Sequence, residues 1–179
     1  RTCEGGLHVV DVRTPTAPRA VGCFSFDGYT HETQCVVYDR PDTAYHGREI
    51  CFNSNEDTLT IVDANDKLEQ VQLSRTGYGG SAYTHQGWLT EDQRFFLVND
   101  EGDEVAYRHP TRTWIWHVSD LDAPVLVSRY DGPTPSIDHN LYIRGDLVYE
   151  SNYRSGLRIL DASEVTQGVL REVGFFDIF

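Results

Sequence analysis

Four stretches of the chain alternate apolar and polar side chains and then stop at a turn. Gly-Leu-His-Val-Val-Asp-Val (6–12), Thr-Leu-Thr-Ile-Val-Asp-Ala (58–64) and Gly-Leu-Arg-Ile-Leu-Asp-Ala (156–162) share one pattern. Thr-Trp-Ile-Trp-His-Val (113–118) fills the same slot in the remaining unit. A period of two closed by Asp predicts a strand running into a turn. Pro15 and Pro18 after the first, and Pro124 after the third, mark the loops that follow. Another strand is expected beyond each loop: Ala20–Phe24, Gln70–Arg75, Val125–Tyr130 and Leu170–Phe176. Two further strands are expected upstream of the last three: Gln34–Tyr38 with Glu49–Asn53, Gly87–Thr90 with Arg94–Asn99, and Leu141–Ile143 with Leu147–Glu150. Long helical periodicity is scarce, so the chain reads as all-β.

The pattern repeats. His31, His85 and His139 follow one another at intervals of 54 residues, each just ahead of an inner strand. Four short strands at that period predict the blades of a β-propeller, each blade a four-stranded antiparallel sheet. Residues 1–179 then hold about three and a half blades: a half blade at 6–25 and blades at 34–78, 87–130 and 140–179. A half blade leaves an unpaired inner edge, which is an association hazard. The remaining strands are therefore expected from the rest of a longer chain or from another subunit.

Composition changes the picture in three ways. Fifteen Lys and Arg stand against 28 Asp and Glu, a formal charge of -13, which argues against nucleic acid as a partner and suits a cation such as calcium. No apolar run is long enough to span a bilayer, and the chain opens at Arg1 without a signal-peptide pattern, as a mature product or a piece of a longer protein would. Four cysteines lie in the first third, without a Cys-x-x-Cys unit, which predicts disulfides and an oxidising compartment. If 34–39 and 49–54 pair around a turn near Thr43, Cys35 falls opposite Cys51, and Cys3 with Cys23 remains by elimination.

The segments ending at Asp11, Asp63 and Asp161 resemble the LVIVD repeat. Gly28–Tyr38, Glu49–Thr58, Tyr83–Asp92 and Ile137–Tyr142 resemble the bacterial choice-of-anchor B family. His117, where the other units carry Asp, departs from the pattern. The resemblance covers nearly the whole chain and implies a secreted or cell-surface propeller. It supplies no catalytic residues.

The periodic histidines have two readings. As ligands, His31, His85 and His139 would line the central channel and hold a divalent metal, zinc if the imidazoles dominate and calcium if oxygens do. Acidic residues of the neighbouring turns, Glu56, Asp100 and Glu101, would join them. As structural groups they would be buried and bonded to a turn Asp, one stitch per blade. The other histidines (His8, His46, His109, His117) read as surface or strand residues, and the run from Asp100 to Glu104 as a solvated turn. No Gly-x-Ser-x-Gly elbow or other nucleophile is visible. The sequence points first to an extracellular scaffold binding a protein or glycan, with Tyr45 and Tyr107 in the long loops 39–48 and 101–112 as contacts. The alternative is a metal-dependent hydrolase or lyase centred on the histidines.

Overall fold

The computed structural model describes residues 2–177. Its strands, in chain order, are β1 (Leu7–Asp11), β2 (Arg19–Phe24), β3 (Glu32–Val37), β4 (Glu49–Ser54), β5 (Thr58–Asp63), β6 (Val71–Gly77) and β7 (Thr84–Leu89). They continue with β8 (Phe95–Asp100), β9 (Arg112–His117), β10 (Val125–Asp131), β11 (Asn140–Arg144), β12 (Leu147–Ser151), β13 (Leu157–Asp161) and β14 (Arg171–Phe176). β1 and β2 make a two-stranded sheet, and β3–β6, β7–β10 and β11–β14 make three four-stranded sheets, each in simple up-and-down order. The all-β expectation of half a blade and three full ones therefore holds, among the described residues.

The outermost hairpin of every sheet carries a register shift at the equivalent place: Val9/Val10, Ile61/Val62, Leu126/Ser128 and Ile159/Leu160. A bulge of this kind bends and twists the strand that carries it. Its recurrence shows that the repeat extends to backbone geometry.

Three apolar layers lie between the sheets. Leu7 and Phe24 of the half blade pack on Cys51, Val62 and Ala64. Phe52, Leu59 and Ile61 meet Phe96, Val98 and Trp116, with the Phe52 and Phe96 rings stacked 5.3 Å apart. Phe95, Leu97 and Ile115 meet Leu141, Ile143, Val148 and Leu160. β5 and β8 are consequently buried at every position, whereas β13 alternates between buried and partly exposed residues, covered on one face only.

Both predicted disulfides are present, Cys3–Cys23 and Cys35–Cys51, with Cα atoms 5.4 and 4.0 Å apart. The second follows from the hairpin register, in which Cys35 and Cys51 are direct partners. Polar side chains also tie the inner strands to one another. Leu89 N donates to Gln34 Oε1 at 2.7 Å. Leu141 N donates to Gln86 Oε1 at 2.8 Å, while Gln86 Nε2 returns a bond to Leu141 O at 3.0 Å.

The acidic run departs from its expected solvated turn. Asp100 and Asp103 are fully buried and Glu104 nearly so, and the segment holds a short helix, α1 (Asp103–Tyr107). Gly102 sits at φ 145°, a conformation that L side chains rarely adopt, and it reverses the chain between Glu101 and the helix. Asp103 accepts from Trp114 Nε1 at 3.2 Å, and Glu104 accepts from Asp138 N at 3.1 Å. Burial first, then the Glu104 and Asp100 carboxylates, push Asp103 up to about 8. Burial also raises Glu104 and Asp138. His109 is likewise drawn in, its side chain mostly buried with Nε2 3.7 Å from Asp103 Oδ2.

Candidate functional site

Each periodic histidine opens an inner strand or immediately precedes it, so the three fall at the same end of neighbouring sheets. They form a ladder. His31 Nδ1 lies 3.1 Å from the carbonyl oxygen of His85, and His85 Nδ1 lies 2.9 Å from the carbonyl oxygen of His139. The rings stack at a tilt, with centroids 4.0 and 4.6 Å apart. The bonds run between blades and end on backbone carbonyls, not on a turn Asp. Because a carbonyl only accepts, the hydrogen of His31 and of His85 sits on Nδ1, leaving each Nε2 as a lone pair in the neutral ring.

His85 is 3% exposed, while His31 and His139 are half-buried. Burial first, then the neighbouring His31, lowers His85 to about 4, against the opposing pull of Glu101 and the His139 carbonyl. His85 is therefore neutral at neutral pH, and its 3.4 Å approach to Glu101 Oε2 is not an ion pair there.

Of the acidic residues expected beside the histidines, Glu101 alone reaches them. Glu101 Oε1 stands 3.9 Å from His139 Nε2 and accepts a short hydrogen bond from Tyr153 Oη. One ligand atom from each of His85, Glu101 and His139 lies within 4.8 Å of the others. His31 and Glu56 stand outside this set. Asp100 is withdrawn into the turn, where Ala82 N, Tyr83 N and Tyr78 Oη donate to it at 3.0, 2.6 and 2.7 Å. The Glu56 side chain is exposed; its backbone pairs with Thr84, fastening one blade's turn to the next blade's inner strand.

Three tyrosines flank the ladder. Tyr29 and Tyr83 meet His31 edge-on at 6.1 and 5.3 Å, and Tyr153 meets His139 edge-on at 5.2 Å. Tyr29 and Tyr83 are partly exposed and Tyr153 half exposed, so phenol rings flank the half-buried His31 and His139 at the surface of this end while His85 lies beneath. Tyr153 carries no periodic signal, and only its place in the turn after β12 brings it here. The expected contact tyrosines lie elsewhere or are occupied. Tyr45 belongs to the opposite end, where its hydroxyl donates to Asp122 at 2.8 Å, and Tyr107 Oη donates to Ser81 O at 3.1 Å.

Two other acid-rich groups are accounted for by bonds already present. Cys35 and Cys51 beside Glu49 are joined to each other. Asp122 and Asp42, beside Asp120, accept from Tyr45 and from Leu121 N. A groove lined by Arg94, Phe95, His117, Val127 and Gln167 lies at the end of the sheets away from the ladder.

Among solved structures, the chain is similar to the β-propeller domain of Cps50 (Swd1) from Myceliophteria thermophila, at 16% identity and a TM-score of 0.60. The fold is a β-propeller. The similarity covers 97% of this chain and 54% of that domain, so the chain spans about half the length of the propeller it matches. No family model and no curated protein matches the propeller chain. No helix among the described residues is long and apolar enough to cross a membrane. The paired cysteines suit an oxidising compartment.

Proposed function

We propose that this chain is part of a secreted or cell-surface propeller of the LVIVD and choice-of-anchor B type, acting as a binding scaffold. In this reading the end carrying the histidine ladder receives a protein or glycan, and further strands from the same chain or another subunit complete the ring. One observation carries it: Tyr29, His31, Tyr83, His139 and Tyr153 are partly exposed rings linked through the buried His85 by ring contacts from neighbour to neighbour. Aromatic rings give large contact area at low entropic cost, and they dominate the energetics of recognition surfaces. The one-sided burial of β13 supports the incomplete ring.

The test is a screen of neutral oligosaccharides and of unmodified peptides against the wild type and the variants Tyr83→Ala and Tyr153→Ala. Each variant is expected to weaken a bound probe by about tenfold or more with the fold intact. Binding that survives both substitutions would place recognition elsewhere. The alternative of a metal-dependent hydrolase or lyase draws on the approach of His85, Glu101 and His139.

A further inference from the structure

We propose that His85, His139 and Glu101 form a three-ligand transition-metal site, with zinc(II) the fitting ion. The inference does not depend on the scaffold role, because metal binding can be read directly. Its core is a confrontation of acceptors. The hydrogen of His85 is committed to Nδ1 by the His139 carbonyl at 2.9 Å, so the unprotonated Nε2 is left 3.4 Å from a carboxylate oxygen of Glu101. Two lone pairs so placed repel unless a proton or a metal ion stands between them. A tetrahedral ion with ligands at about 2.0–2.2 Å separates neighbouring ligand atoms by roughly 3.4 Å. The separation of His85 Nε2 from Glu101 Oε2 already meets that value; His139 Nε2 stands 3.9 Å from the other oxygen, Oε1, and with one ligand atom of each residue within 4.8 Å of the others the three need to close further around an ion.

The surroundings match what metal sites require. A ligating imidazole characteristically donates its other nitrogen to a carbonyl, and a ligating carboxylate is itself held by a donor. His85 has the carbonyl of His139, and Glu101 has the hydroxyl of Tyr153. Two imidazoles and one carboxylate favour zinc over calcium, whose sites are built from six to eight oxygens. Three protein ligands leave the fourth position open to water or a ligand group, as catalytic rather than structural zinc sites do.

The experiment uses the purified chain, stripped with chelator and titrated with zinc(II) by calorimetry. One equivalent should bind, and a large excess of calcium should not displace it. Glu101→Gln and His139→Ala alter partly exposed side chains and should each weaken binding by more than about tenfold, whereas His31→Gln should retain it. Tyr153→Phe should cost roughly tenfold by releasing the carboxylate, without lowering the melting temperature. Nitrogen-resolved spectra of the imidazoles should place the metal on His85 Nε2, with Nδ1 still protonated. Failure of the wild type to bind zinc would overturn the proposal. So would affinity unchanged in both Glu101→Gln and His139→Ala, or coordination through Nδ1.

Discussion

At the scale of single residues, an Asp outside every sequence motif accepts from four side chains at once. The Asp27 carboxylate, 4% exposed, accepts from Asn55 Nδ2 at 2.9 Å and from Thr58 Oγ1 at 3.0 Å, and also from Thr60 and Arg75. Burial alone would raise its pKa; the bonds from Thr60, Arg75, Asn55 and Thr58 outweigh that and lower it. Asp27→Ala strands several buried donors at once and should cost about 2–4 kcal/mol in denaturant unfolding. A depressed folded pKa means that the stabilisation is present above the unfolded value of 3.8 and is lost as pH falls through the folded one. Asp27→Asn should therefore flatten the acid limb of the stability profile; an unchanged limb would show that other carboxylates govern it. The histidines were legible because the interval of 54 is written in one residue type. Asp27, Tyr153 and the inward turn of Asp103 were not, since each depends on which way a loop folds back.

Among the elements, strand existence followed from alternation with little error, whereas the bonds between strands were hidden. Gln34 and Gln86 perform the same task, yet Gln34 stands three residues after its histidine and Gln86 only one. Relative to the histidine the two glutamines differ by two places, so no fixed spacing reveals the pair. Gln86 is fully buried and engages both the N–H and the carbonyl of Leu141. Gln86→Ala leaves two backbone groups unpaired between β7 and β11, for which about 2–4 kcal/mol is expected in chemical denaturation. A cost below about 1 kcal/mol would mean that the inner strands do not rely on this clamp. The second blade's α1 also escaped sequence reading, because five residues are too few to show a helical period.

For the molecule as a whole, burial distinguishes the blades by their place in the row. β5 and β8 are enclosed on both faces, while in β13 Leu160 is buried and Ile159 only partly so. In this chain Ile159→Asp should shift the melting temperature by no more than a few degrees, whereas Leu160→Asp should prevent folding, because it places a charge in a closed apolar layer. Equal damage from both would show that the Ile159 face is covered in solution. The ladder itself has a direction. Each imidazole gives its hydrogen to the carbonyl of the following unit, so His31 stands at a head and His139 at a tail. A unit inserted with its own histidine would find a donor behind it and an acceptor ahead. Growth by whole modules of 54 residues is thus chemically continuous, while any fractional insertion would break the relay at a single rung.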